Sequence, residues 1–489
     1  ERSPQAIERM RAEISSLAKE SKALFAEIAQ RYPSYANLLH PQPANLDSVR
    51  AKLGEDEAMI SVYVGAQRTY VWALTKNGAP VFSTSPLGAE AIEQSVARLR
   101  KSLDPGSASL GEMPEFDVAE GYKLYQSLLK PVEAAWRGKR SLLIVPHRAL
   151  GQLPFALLPT EEAALKSDKK LLFDGYRGLP WLVRSAAVTQ YPSANAFLSL
   201  RGLAPADPNR RSFIGFGDPL FNQQQLTESQ QPLQAMQVAA AAPTTRGLRL
   251  PLRKLKVERV NSAADVETGL AAAVANTSQL AQVPRLPDTG DEIREIAAAL
   301  GADAQQDVFL QLRANEDQVR KMDLSHHRVI MFATHGLVPG ELNGLNQPAL
   351  ALTAPQLAHV NGDGLLTMEE VLQLKLNADW VVLSACNTAA GDGQGGDAVS
   401  GLGRAFFYAG SRALLVTNWP VETTSARALT TELFRRQAAD AQLSRAQALR
   451  QAMLQLIDGP GYVQGGKSIY AYAHPLFWAP YALVGDGGR

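Results

Sequence analysis

The stretch Asp379-Trp-Val-Val-Leu-Ser-Ala-Cys-Asn-Thr-Ala389 decides how this chain is read, because an apolar run there opens onto glycine-rich loop and carries the sole cysteine, Cys386. A second run, Arg328-Val-Ile-Met-Phe-Ala-Thr-His-Gly336, ends in the same way on His335 and Gly336. Both runs read as buried strands. Laid parallel in one sheet, they bring a thiol and an imidazole to the same carboxyl edge, where such sheets carry their sites.

Outward from these runs the pattern alternates. Strands are expected at 307–310, 329–333, 380–385 and 413–419, and helices at 315–323, 367–374, 401–409, 424–438 and 444–457. Alternation of this length implies right-handed crossovers and a largely parallel sheet flanked by helices, an α/β fold. Asp288-Thr-Gly-Asp-Glu-Ile reads as a helix start, with a capping side chain and acids in its first turn.

Before residue 286 the order is looser. A hairpin is expected over 58–74, helices over 89–103 and 118–136, and strands at 141–145 and 212–217. Residues 221–287 are rich in Gln, Ala and Pro, with a basic patch at 246–256, and read as an exposed linker or long surface loop. A helix over 4–32 has apolar residues three and four apart and suits the end of a helical array. The organisation expected is thus a helical lead-in at 1–50, one unit at 51–285 with its polar loop at 221–285, and a second unit at 286–489.

Composition removes several classes of function. A chain of 489 residues exceeds one ordinary core and is expected to divide into two or three domains. Lys and Arg number 49 against 48 Asp and Glu, and a net charge of +1 offers no electrostatic footprint for nucleic acid or an anionic membrane. A single cysteine rules out a disulfide framework and a thiolate zinc site, and fits a reducing, cytoplasmic setting. Without an apolar run of about 18 residues, no membrane-spanning helix is expected. The chain starts on Glu1 with no apolar signal region, so it is expected to be a piece of something longer.

The chemistry expected of the two run ends is acyl transfer. A free thiol has a pKa of about 8.5, so its attack on a carbonyl needs an imidazole that stabilises the thiolate or takes its proton. His335 can then return that proton to the leaving amine. Gly336, lacking a Cβ, lets its N–H approach an oxyanion closely, and the amide of Cys386 is the second expected donor. No metal or organic cofactor is required. The separation of His335 and Cys386, 51 residues, is close to the roughly 50 expected of caspase-type peptidases.

The motifs F-A-T-H-G at 332–336, D-G-L-L-T-M-E-E-V at 363–371, V-L-S-A-C-N-T-A at 382–389, G-L-G-R-A-F-F-Y-A-G-S-R at 401–412, N-W-P-V at 418–421 and H-P-L-F-W-A-P-Y-A-L-V-G-D at 474–486 resemble those of the CHAT domain family. These are caspase-like proteins related to separase, often joined to tetratricopeptide repeats in bacteria. The resemblance reaches back through L-P-F-A-L-L-P at 153–159 to about Leu53. It implies a caspase-like mostly parallel sheet, a dyad of His335 and Cys386, and a degenerate caspase-like half at 51–285 that carries no nucleophile. It also implies a protein substrate and control by a partner or an amino-terminal repeat region.

By the same resemblance, substrate-binding positions are expected at Ser384, Asp397, Trp419, Val421 and Glu422. An acid among them would favour Arg or Lys before the cut. Against this, separase-like relatives carry an aspartate further along that loop, and this chain has Arg427 at about that place.

Blander readings stand beside these. A lone cysteine can be inert packing. His147 reads as packed or superficial, His326 and His327 as solvated, His359 as a loop residue, and His474 as a hydrogen-bonding anchor for the last strand. Gly391-Asp-Gly-Gln-Gly-Gly396 fits G-x-G-x-x-G with Glu422 as a ribose acid, but its first glycine lies beyond the strand end that the fingerprint requires. A caspase-like scaffold without activity is the other rival.

Overall fold

The computed structural model describes residues 44–489 except 105, 107–108, 167–170, 231–249, 254–276, 343, 385–400 and 489, together with positions 16, 19, 20, 23 and 27. Cys386, Asp397 and the Gly391–Gly396 run lie outside the described residues, as does most of the helix expected over 4–32.

Sixteen strands are present among the described residues: β1 Glu57–Val64, β2 Thr69–Thr75, β3 Val81–Ser85, β4 Ser141–Val145, β5 Ala187–Gln190, β6 Arg211–Gly217, β7 Val308–Leu310, β8 His327–Ala333, β9 Gly336–Leu337, β10 Ala349–Ala351, β11 Leu365–Thr367, β12 Trp380–Leu383, β13 Ala413–Thr417, β14 Tyr462–Gln464, β15 Lys467–Tyr470 and β16 Tyr481–Gly485. Eleven of them form one sheet in the order β3-β2-β1-β4-β5-β16-β13-β12-β8-β6-β7. The inner neighbours β8, β12 and β13 run parallel. Their side chains are buried on both faces, apart from Arg328, which is why they read as unbroken apolar runs in the sequence.

The α/β fold and the mostly parallel sheet agree with the sequence reading. The antiparallel pairs are β1 with β2, β2 with β3, and the terminal β16 with β13. Strand β6 crosses over to sit between β7 and β8, so the segment that precedes the polar loop joins the same edge as His335.

Several elements depart from expectation for local reasons. The helix expected over 118–136 is split into Val118–Leu128 and the single turn Glu133–Trp136. Pro131 lies between them and cannot donate to the helical ladder. The small antiparallel sheet of β9, β10 and β11 was not anticipated, because its strands are two or three residues long and show no period. His327 is not solvated: it is buried beside Asp307 at 3.8 Å, and burial lowers its pKa.

The segment expected to be exposed between 221 and 287 is only partly so. Gln223–Ser229 is helical, and Leu250–Arg253 lies against the sheet's carboxyl edge with the Arg253 side chain 1% exposed. No described helix is long and apolar enough to cross a membrane.

Candidate active site

Register places the two run ends side by side. Leu383 of β12 lies opposite Phe332 of β8, and the Ser384 N–H donates to the Phe332 carbonyl at 3.0 Å. His335 comes three residues after Phe332, and Cys386 three after Leu383. Strand β8 thus carries His335 to the edge of the sheet at which the neighbouring β12 also ends.

His335 is fully buried. Its Nε2 is 2.8 Å from the Pro284 carbonyl oxygen, and because a carbonyl only accepts, Nε2 must carry the proton. The tautomer leaves Nδ1 as the basic nitrogen, and Nδ1 has no hydrogen-bond partner among the described residues. Burial pulls the imidazole pKa down to about 4, the Pro284 bond opposes this, and the nearby Arg253 charge adds to it. The resting ring is therefore a neutral base, positioned through Nε2 and without a partner at Nδ1 among the described residues.

The carbonyl that positions it is itself anchored. Arg285 makes two hydrogen bonds to Asp218, Nε to Oδ1 and Nη2 to Oδ2, both 2.7 Å. Asp218 follows β6 in a left-handed conformation, φ 50°, and its N–H donates to the Thr289 hydroxyl. Pro284 and Arg285 lie in the stretch read as linker, and nothing in its composition marked this role. The ring of Phe221 lies 6.1 Å from that of His335.

Gly336 begins β9, opposite Leu350 of β10. The Ala351 N–H donates to the His335 carbonyl at 2.9 Å, which makes His335 and Ala351 a hydrogen-bonded pair. In an antiparallel ladder such pairs alternate with unbonded ones, so the half-buried Gly336 directs its N–H away from β10.

The expected substrate-binding positions divide. Trp419 is core: its Nε1 donates to the Leu476 carbonyl at 3.2 Å. The Glu422 carboxylate caps the Thr423–Ala439 helix by accepting from the Thr424 and Ser425 amides, at 3.0 and 2.8 Å, so it is not a free acid for a ligand. Arg427 pairs with Asp291 and Glu295. Ser384, by contrast, lines a buried polar pocket, and the Val421 carbonyl beside it accepts from the Arg253 N–H.

That pocket is built on the helix Asp288–Ala299. Asp288 and Glu292, four apart, share one helical face. Arg253 enters between them: its Nη2 is 2.5 Å from Asp288 Oδ2 and 2.7 Å from Glu292 Oε2. Its Nη1 donates to the Ser384 hydroxyl at 2.8 Å. Ser384 in turn donates to Glu292 at 3.2 Å, and so accepts from Tyr481, whose hydroxyl lies 2.9 Å away. Burial lowers the guanidinium pKa and the two carboxylates more than offset this, so it stands above its ordinary value. The sequence signal for this pocket was an acid, Glu292, set in the apolar stripe of Ile293 and Ile296.

His147 and His474 are structural. His147 accepts from the Val64 N–H at 3.1 Å and stacks on Tyr63. His474 is buried and caps the turn before β16, accepting from the Leu476 amide at 3.1 Å. No group of three or more His, Cys, Asp or Glu side chains suited to a metal occurs among the described residues.

Among known proteins, the family model of the CHAT domain matches residues 118–486. No curated relative matches the sequence. Similar solved structures include the Saccharomyces cerevisiae separase–securin complex, at 9% identity and a TM-score of 0.45 over 90% of this chain and 30% of that one. A second structure of that complex gives 10% identity and 0.44, again over 90% and 30%. The Arg-specific cysteine proteinase gingipain R gives 8% identity and 0.32 over 83% of this chain and 68% of that one. The chain therefore spans about a third of the length of the separase chains it is similar to.

Proposed function

The chain belongs to the CHAT domain family, and from that membership and the setting of His335 we propose that it is a caspase-like cysteine endopeptidase acting on a protein partner. Cys386 is the nucleophile and His335 the base and acid. The observation that carries this reading is the buried imidazole, held by the Pro284 carbonyl and with Nδ1 unpaired among the described residues, at the edge where β12 runs on toward Cys386.

The steps follow from the residues. His335 Nδ1 takes the thiol proton as sulfur adds to the scissile carbonyl carbon. The amides of Gly336 and Cys386 stabilise the oxyanion. The carbon–nitrogen bond then breaks, the amine leaves with the proton held by His335, and water hydrolyses the thioester to restore the thiol. Residues 286–489 carry the dyad, and residues 51–285 act as a supporting half that supplies Pro284. A protein partner or an amino-terminal region provides control.

The test is digestion of a proteome-derived peptide library read by mass spectrometry, beside Cys386→Ala and His335→Ala. Cuts that both variants lose establish the dyad. Identical digests from all three, with and without candidate protein partners, leave a scaffold that keeps the fold without the activity.

Because Arg285 fixes the segment whose Pro284 carbonyl positions His335, Arg285→Ala is expected to lower kcat roughly tenfold to a hundredfold with KM little changed. Arg285→Lys should recover part of the loss. An equal fall in both constants for Ala and Lys would remove the positioning role.

A further inference from the structure

The pocket that holds Arg253 has the features of a subsite that receives a side chain from an extended peptide, and the peptide in it belongs to this chain. Leu250-Pro251-Leu252-Arg253 lies antiparallel to Val421–Thr423. The Arg253 N–H donates to the Val421 carbonyl at 3.0 Å, and the Thr423 N–H donates to the Pro251 carbonyl at 3.1 Å. Leu252 and Glu422 form the bridge between them. Main-chain pairing of this kind recognises a backbone without regard to sequence, while one pocket selects one side chain.

That side chain is arginine by chemistry as well as occupancy. Two carboxylates, a serine hydroxyl and a tyrosine hydroxyl close around a guanidinium that is 1% exposed. The planar guanidinium reaches both acids and the serine hydroxyl from fixed donor positions, a geometry that a single ammonium nitrogen does not match. The pocket also adjoins the proposed catalytic groups. Arg253 and Asp288 both act electrostatically on His335, and the hydroxyl that grips Arg253 belongs to the residue two places before Cys386.

We infer that Asp288, Glu292, Ser384 and Tyr481 form the subsite for the residue before the scissile bond, that it takes arginine, and that Leu250–Arg253 is an internal substrate cut between Arg253 and Lys254. The inference rests on the peptidase reading above. The Cys386 sulfur adds to the Arg253 carbonyl carbon, and the bond to the Lys254 nitrogen breaks. Lys254 leaves as an amine with the proton His335 took from the thiol. Water then adds to the thioester, Arg253 gains a carboxylate, and the thiol is restored. Until the cut segment leaves, it occupies the site that other arginine-bearing chains would use.

The test is a time course of intact mass on the purified chain. Two fragments are expected, one ending at Arg253 and one starting at Lys254, with none from Cys386→Ala. Lys254→Pro, which keeps Arg253 but makes the scissile amide tertiary, should stay whole, and Arg253→Lys should be cut more slowly. On a Leu-Pro-Leu-Arg amide substrate, Glu292→Gln should lower kcat/KM by roughly a hundredfold, and more than it does for the same peptide ending in methionine.

The inference is overturned if Cys386-dependent cuts in the peptide library fall after residues other than arginine. It is also overturned if the chain stays whole while it turns over the arginine substrate. If no peptide of any sequence is cut through Cys386, the peptidase reading itself fails and takes this one with it.

Discussion

Replacing Cys386 or His335 with alanine is expected to lower kcat/KM on cleaved peptides by roughly a thousandfold or more. The two effects should not add. Without the sulfur there is no thioester for the imidazole to serve, and without Nδ1 the thiol stays mostly protonated at neutral pH and the amine leaves unprotonated. The double variant should therefore sit within a few-fold of either single one, as groups that act as a unit do. The arrangement around His335 makes the prediction sharper than a bare dyad would. Its Nε2 is committed to Pro284, so only Nδ1 can do this work. Asparagine at 335 should not rescue, since its amide has no basic nitrogen. Single-turnover rates on the wild type and four variants decide the matter, and residual activity above about a tenth in Cys386→Ala would transfer the chemistry to another group.

Acid is expected to destabilise the fold well before the carboxylates titrate. Burial holds His335 near pKa 4 and His474 near 3, whereas in the unfolded chain both stand near 6.5. Both are therefore neutral when folded, and the unfolded state binds more protons below pH 6.5. The stability associated with keeping them neutral is complete above that value and is lost as pH falls from 6.5 toward 4 and 3. At pH 5 each contributes a loss of about 2 kcal/mol, roughly 4 kcal/mol together. Urea midpoints at pH 7, 6 and 5 read this directly. His474→Asn keeps an acceptor for the Leu476 amide and does not titrate, so it should remove about half of the acid loss. Equal midpoints at pH 7 and pH 5 would show that both rings charge without cost.

Much of this was legible before any coordinates. The all-apolar runs of β8 and β12 announced strands buried on both faces, and their ends announced the edge that matters. The motifs that resemble the CHAT family ran through the same elements, and the family match covers them. What escaped was of two kinds. β9 to β11 are too short to show a period, and the ends of helices moved where Pro131 interrupts the ladder. The second kind concerned partners. Glu422, suspected of meeting a substrate, is taken up by a helix terminus, while Arg253, placed in an exposed basic patch, is buried.

The sequence by itself determined the α/β class, the parallel order of the runs that end at His335 and toward Cys386, and the family. These depend on periodicity and on apolar content, which local stretches of chain express in full. Only the tertiary structure decided that a proline carbonyl 51 residues before His335 orients it, and that two acids of one helix close on an arginine 35 and 39 residues before them. Hydrogen bonds and ion pairs between distant segments leave no period in either segment. Their energy depends on which groups the fold desolvates together, and burial, rather than residue type, turns an exposed charge into a pocket.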